Sequence, residues 1–355
     1  MDRVKAFDGF MRSIKPEDRV LLVYHRDTDG LCSALVVSKA LEKLRGKPAD
    51  FVESAEYAEF PAILKKARAL KPSRIICADL SIDQRKEIIH ELESIAPLCV
   101  IDHHKLYNDL QSDRTVFIKA QMLSELDGSR YPASKLSFDL CSRVADLSKE
   151  KWIACVGILG DMGYTQWKEF VDSTAKELKL ALNDFEFLKS LVNAVETVAP
   201  QNFHELFTEF NSKNVKELLE SPLGRYRKTL MDSLTKWRVD FKENAEFYPE
   251  LEFYFYVFKP ELELKSALID SLSREFPGKN LIVVIDRGGP MLRFSARRQD
   301  FKVEMNDLLE EAVKGIDGGE AGGHIPAAAG SIPRKKLNVL KENLIRILKA
   351  KYEVD

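Results

Sequence analysis

Three apolar runs in the first third of the chain break off at acidic or imidazole side chains. Arg19–Tyr24 runs straight into His25-Arg-Asp27-Thr-Asp29-Gly30, Arg74–Ala78 into Asp79, and Cys99–Ile101 into Asp102-His103-His104. An apolar run that stops at a polar tip reads as a buried strand whose carboxyl end opens on a crevice, where open α/β sheets hold their ligands. Helical stretches near Leu31–Arg45 and Pro61–Leu70 fall between them, and a short amphipathic helix over 4–14 comes before. Strands alternating with helices predict a parallel, doubly wound sheet with the three acidic tips along one edge.

His25, Asp27 and Asp29 alternate, so in an extended segment they face one side, and Gly30 permits a tight turn into the next helix. Further on, the apolar segment Trp152–Gly160 delivers Asp161 within GILGDMG, where Gly157, Gly160 and Gly163 allow close backbone approach. One Asp-His-His could be a strand cap followed by surface histidines, and Asp161 alone a residue after a helix. Repetition of the pattern at several tips favours metal. Hydrolysis of a phosphodiester needs such a set, because two divalent ions about 4 Å apart can activate a water and clamp the phosphate oxygens. Mixed carboxylate and imidazole ligation suits Mn²⁺ better than an all-oxygen Mg²⁺ site. Asp79, alone on the middle strand and with two oxygens, is expected to bridge the ions, and His104 to contact phosphate.

At 355 residues the chain suggests two domains. A formal net charge of -2 gives no global positive field, so any nucleic-acid binding must come from local patches. Arg225-Tyr226-Arg227-Lys228 and Lys236-Trp237-Arg238 combine basic and aromatic residues as a single-strand track would, with Arg225, Arg227, Lys228 and Trp237 as candidate contacts. A solvated helix face with its aromatics turned to a core accounts for them equally well. The five cysteines are odd in number and lack CxxC pairing, which implies free thiols, a reducing cytosol and no zinc site. The N-terminal stretch has no apolar signal core and no segment reaches the length of a membrane span, so a soluble, cytoplasmic protein is expected.

From Asp172 to Asp240 the pattern is helical and charged. A second, mixed α/β domain is expected from Glu250, with strands at Leu251–Phe258, Leu281–Asp286 and Met291–Arg297 and a helix over Glu263–Phe276. The expected division is 1–200, a helical connector 201–249, and 250–355. Small residues around His324 in the glycine-rich run Gly315–Gly330 would form a loop whose amides can approach an anion.

Taken together these residues resemble the DHH family of phosphoesterases, in the subfamily with a DHHA1 C-terminal domain. HRDTDG matches its first motif, Asp79 the second, Asp102-His103-His104 the third and Asp161 the fourth. The resemblance implies one ion on His25, Asp27 and Asp79, and another on Asp29, Asp79, His103 and Asp161, with Asp102 orienting a histidine from behind. The compact His-x-Asp-x-Asp spacing resembles RecJ-like nucleases more than the phosphodiesterases of very short oligonucleotides or cyclic dinucleotides. Gly322-Gly323-His324 followed by Ala328-Ala329-Gly330 resembles the GGH...AAG signature of DHHA1 domains, and Ser295-Ala-Arg297 their Ser-x-Arg strand. That implies Arg297, Gly322, Gly323 and His324 as substrate-binding residues, across the cleft from the metals. Three residues, Ile325-Pro326-Ala327, stand where the usual pattern has two.

The expectation is therefore an Mn²⁺-dependent exonuclease on single-stranded DNA or RNA, with Mg²⁺ as a possible substitute. By resemblance to archaeal RecJ-like relatives, including helicase-associated ones, it works 3′ to 5′. A DNA repair helicase or a replication protein is the expected partner, and homo-oligomers are compatible with this reading. The alternatives are a phosphodiesterase of very short or cyclic substrates and a non-catalytic replication scaffold; the intact metal residues argue against the scaffold.

Overall fold

The computed structural model describes residues 2–352, and its strands form two sheets. In the first sheet are β1 (Val20–His25), β2 (Phe51–Ala55), β3 (Arg74–Ala78), β4 (Leu98–Asp102) and β5 (Thr115–Lys119). All are parallel, in the order β2-β1-β3-β4-β5. Alternation along each strand sends side chains to opposite faces. Leu22, Tyr24, Ile76, Cys99 and Ile118 join one core, packed by α1 (Arg3–Arg12) and α2 (Thr28–Arg45). Leu21, Val23, Ile75, Val100 and Phe117 join the other, under α3 (Phe60–Leu70) and α4 (Lys86–Ile95). The sheet is thus doubly wound, as expected. Its order reverses at β1, so a crevice opens where the carboxyl ends of β1 and β3 diverge from their outgoing connections.

A helical layer completes the first unit: α5 (Ala133–Cys141), α6 (Lys151–Gly160), α7 (Tyr164–Leu178), α8 (Leu182–Val198), α9 (Phe203–Ser212) and α10 (Val215–Leu219). Phe203, Leu206, Phe210 and Leu218 are buried in the first core, where α9 packs against Tyr24 of β1 and α10 against α8. Compact packing divides at Arg227 and Lys228, inside α11 (Gly224–Asn244).

The second unit holds a mixed sheet of β6 (Glu246–Tyr248), β7 (Phe253–Phe258), β8 (Asn280–Ile285), β9 (Met291–Arg297), β10 (Glu320–His324) and β11 (Ala327–Pro333). Its order is β10-β11-β9-β8-β7-β6, and only β7 and β8 run parallel. Phe253, Phe255, Ile282, Val284, Phe294 and Ala296 face α13 (Met305–Val313) and α14 (Leu337–Tyr352). On the other face lies α12 (Lys265–Glu275), whose Lys265 reaches Ser295.

Three strand regions depart from the sequence reading, the first being β6, which falls inside the stretch 201–249 expected to be a helical connector. β2 is a half-exposed edge strand with too little alternation in FVESA to stand out. The run expected to be a glycine-rich loop is a hairpin, with Ile325-Pro326 at its turn and Ala327 already paired opposite His324. All five cysteines are buried and unpaired. No helix among the described residues is long and apolar enough to cross a membrane.

Candidate metal centre

β1 and β3 are adjacent, so His25 at the end of one and Asp79 just past the end of the other meet in the crevice. After His25 the chain stays extended only to Asp27, which caps α2 by accepting the Gly30 amide at 2.8 Å. Asp29 therefore does not continue an extended alternation, as the sequence reading supposed. It sits in the first helical turn, buried, and accepts the Ala133 and Ser134 amides at the start of α5 at 2.7 and 3.1 Å. Gly30 is the third residue of α2 and its role is clearance rather than a turn. A Cβ there would lie 2.2 Å from the His25 carbonyl oxygen.

Asp79 occupies the left-handed region at φ +60°, which is uncommon outside glycine and recurs at functional sites. Its amide donates to the Ile101 carbonyl at 2.8 Å, fixing the turn against β4. From there Asp79 faces two groups. His25 Nδ1 lies 2.8 Å from Asp27 and 3.9 Å from Asp79, while His103 Nε2 lies 3.2 Å from Asp79 and 3.8 Å from Asp29. Each trio, His25-Asp27-Asp79 and Asp29-Asp79-His103, offers ligand atoms within 4.8 Å of one another, and Asp79 belongs to both. A third grouping, Asp79-Asp102-His104, meets the same criterion because Asp102 Oδ1 holds His104 Nδ1 at 2.7 Å.

Asp161 is the C-cap of α6 and approaches His103 at 3.6 Å, from the Nδ1 side, where the Gly128 carbonyl also sits at 3.0 Å. The glycines before it do not wrap Asp161 as expected. A Cβ on Gly157 would meet Ser134 Oγ at 2.2 Å and Asp29 at 2.9 Å, so this glycine lets α6 press onto the helix start that Asp29 caps.

Charge in the crevice is unbalanced. Burial and the neighbouring Asp27 and Asp29 push the Asp79 carboxyl well above its ordinary range. Burial also raises Asp29, with His103 pulling the other way. Burial opposes protonation of His25 and His103, yet Asp27 overcomes it for the first, and Asp161 and Asp79 for the second, so both imidazoles titrate well above normal. Burial lowers His104 despite Asp102. Asp79 Oδ1 is buried with no hydrogen-bond donor in suitable geometry among the described residues. A buried carboxylate that turns Oδ2 toward His25 and Oδ1 toward His103, and so belongs to two carboxylate and imidazole trios, fits divalent cations, Mn²⁺ among them.

The sequence reading missed several supports. Glu56, after the unrecognised β2, lies 3.7 Å from His25 Nε2. Lys119, expected only as part of an apolar run, is fully buried against Asp83 and Asp102. FVESAE does end in an acid beside the crevice, a signal that could have been read as a fourth tip.

In the second unit, strand register places Arg297, Ala327 and His324 side by side on one face, with Ser295, Ala329 and Gly322 in the next row. Arg297 Nε is held by Asp270 of α12 at 2.9 Å. Gly323 has φ +145°, closed to other residues, and a Cβ there would strike the Ala327 carbonyl at 2.5 Å. The basic and aromatic candidates are not gathered in this way. Arg225 lies over the Tyr226 ring, Arg227 bonds Ser190 in the first unit, Lys228 pairs with Asp232 one turn on, and Trp237 packs edge-on against Phe258.

A doubly wound sheet whose strand tips converge carboxylates and imidazoles on one buried aspartate defines a phosphoesterase fold of the DHH type. Residues 19–160 match the DHH family N-terminal domain and residues 259–350 the DHHA1 domain; the chain belongs to the DHH family. RecJ in complex with Mn²⁺ from Thermus thermophilus superposes with a TM-score of 0.73 at 14% identity, over 99% of this chain and 55% of that one. This chain thus spans about half the length of that protein. An exonuclease RecJ bound to manganese matches at TM-score 0.67 and 14% identity, over 98% of this chain and 95% of that one. A DHH domain described as a member of a family of ribosomal proteins matches at 0.73 and 14%, over 98% and 90%. No curated protein sequence matches the chain.

Proposed function

We propose that the chain is a metal-dependent phosphodiesterase that removes nucleotides from an end of single-stranded nucleic acid. The observation that carries this reading is Asp79, buried, strained and common to both ligand trios. His25, Asp27 and Asp79 would hold one ion, and Asp29, Asp79 and His103 the other, with Asp161 joining the second set. Bound Mn²⁺ or Mg²⁺ supplies an activated water and neutralises charge on the phosphate oxygens; the RecJ structures solved with Mn²⁺ support that choice.

The chain's own residues then bind and orient. Asp102, buried behind the site, fixes the His104 ring through Nδ1 and leaves Nε2 as the acceptor nitrogen, which can take up a proton and donate to a phosphate oxygen only as the imidazolium. Arg297 and His324, on one face with only Ala327 between them, suit a terminal phosphate, and the Gly322 and Gly323 backbone can approach it closely. An end-binding shelf of this size and a net charge of -2 favour a short footprint over a long electrostatic track. Polarity of 3′ to 5′ and association with a repair helicase or replication protein rest on resemblance to archaeal relatives.

The test is digestion of end-labelled DNA and RNA single strands, linear and circular, with Mn²⁺ or Mg²⁺. Release of mononucleotides from linear strands only is expected. Equal cutting of circles would mean an endonuclease, and activity confined to dinucleotides would favour a phosphodiesterase of very short substrates.

A further inference from the structure

Beneath the Asp-His-His turn lies an ion pair that none of the site motifs includes. Lys119 is the parallel-strand partner of Asp102, and its side chain is entirely buried. Its Nζ sits 2.8 Å from Asp83 and 2.9 Å from Asp102, both equally buried. It also donates to the Lys105 carbonyl at 2.7 Å and the His104 carbonyl at 3.3 Å. Asp83 in turn receives the Tyr107 and Asn108 amides at 2.8 and 3.2 Å. One cation and two carboxylates therefore hold the segment from Asp102 to Asn108 through the His103, His104, Tyr107 and Asn108 amides and the His104 and Lys105 carbonyls.

Burying three charges is costly, and apolar residues of similar volume would commonly hold a sheet edge as well or better. What apolar residues could not do is keep Asp102 an anion with a fixed direction. Oδ2 faces Lys119, while Oδ1 receives the His103 amide at 2.8 Å and His104 Nδ1 at 2.7 Å. A carboxylate so engaged accepts, so His104 must carry its proton on Nδ1, and the tautomer and ring plane are both set.

We propose that Lys119, braced by Asp83, is a positioning residue that acts through Asp102 to hold His104 in one tautomer and one orientation toward the substrate phosphate. The phosphate as target rests on the phosphodiesterase reading; the chain Asp83-Lys119-Asp102-His104 does not. Lys119→Met alone would leave two buried anions facing each other, so the pair is tested as Asp83→Asn with Lys119→Met, which keeps the local charge of the native triad. Asp83→Asn alone loosens only the brace.

In the 355-residue chain labelled with ¹⁵N-histidine, His104 is assigned by its loss in His104→Gln, and its ring shifts report the tautomer. Native protein should show Nδ1–H, and the double variant a mixture. With an end-labelled short DNA strand and saturating Mn²⁺, turnover should fall about 100-fold in the double variant and about tenfold in Asp83→Asn, the range for partners that orient a site residue. Introduced into His104→Ala, the same pair of changes should cost less than about threefold, because the residue it acts through is already gone. Bound Mn²⁺ should be unchanged throughout.

An unchanged tautomer in the folded double variant, or an undiminished loss in the His104→Ala background, overturns the proposal. So does failure of both variants to fold, which would assign the pair to stability alone. If native protein cleaves no strand, the phosphodiesterase reading falls and the ¹⁵N measurement still decides this one.

Discussion

The Arg298 hub of the second unit and the crevice around Asp79 in the first both bury charge, and they do so in opposite ways. In the second unit Arg298 is 2% exposed and bonds Glu252, Asp300 and the Tyr352 hydroxyl. Bonding to Arg298 draws both carboxyls below their ordinary range, so each partner is more readily ionised than in water. In the first unit Asp79 and Asp29 are both raised, by burial before anything else, so each resists ionisation. The first arrangement is complete in itself. The second is a set of anions crowded together beyond what its imidazoles can compensate, which a divalent cation would relieve. Burial alone therefore says little about purpose, and within the crevice itself the carboxyls divide: Asp27, held by His25, is drawn down while Asp79 and Asp29 are raised, and those two are where charge is left uncompensated.

The largest effect should come from breaking the unbalanced set. Asp79→Ala is expected to lower turnover more than about 10³-fold, the loss of roughly 4 kcal/mol of transition-state stabilisation. Without metal the variant should melt at or above the native temperature, since a repelling carboxylate has gone. Excess Mn²⁺ should raise the melting temperature of the native protein and not of the variant. A variant that retains both Mn²⁺ stabilisation and turnover would remove Asp79 from the centre. Next in size, Arg298→Met should destabilise the second unit by about 2–4 kcal/mol, below the full cost of an unpaired buried charge because Glu252 and Asp300 reach water. Denaturant melts would check it; a stable Arg298→Met would make the balanced hub ornamental and undo the comparison.

The residues of the candidate site were more legible in the sequence than their supports. His25, Asp79 and Asp102 were legible because a parallel strand buried on both faces must be apolar until its tip, so any acid ending such a run stands out. Asp29 was legible in type and wrong in conformation, since helix α2 begins three residues earlier than its apolar pattern shows. Lys119 was invisible because a lysine in TVFIK looks like a strand end in water, and only the pairing of β5 with β4 puts it beside Asp102. The hairpin of β10 and β11 was hidden by composition: glycine and alanine weaken strand propensity, and the pairing with β9 supplies what the local sequence lacks. Arg297 was read as a substrate contact, and its anchor Asp270 lies on a helix with nothing in sequence to join the two.

That anchor sets up an intermediate case, a cation held by a single acid at the edge of a shelf. Arg297→Ala and His324→Ala should each raise KM about tenfold on a short single strand, the worth of one charge-assisted hydrogen bond, with Mn²⁺ affinity unaltered. Loss of Mn²⁺ binding in either variant would tie the shelf to the metal set and blur the distinction between the two regions.

The smallest effect sharpens the comparison from the balanced side. Asp286, at the end of β8, accepts Arg334 through both oxygens and the Gly288 amide at 2.8 Å. Arg334 draws its carboxyl down to about 2. Unfolded, the same group titrates near 3.9. A folded pKa below the unfolded one means that the unfolded chain takes up the proton first as pH falls. The stabilisation is therefore full above about pH 4 and lost as pH drops through about 2. Arg334 is 39% exposed, so solvent screening reduces the effect to on the order of 1–2 kcal/mol. Asp286→Asn should flatten that part of the stability profile between pH 4 and 2 in denaturant melts, with little change in how Mn²⁺ stabilises the protein at neutral pH. A profile equally steep in Asp286→Asn would place the acid sensitivity elsewhere and deny Asp286 its share of the balance.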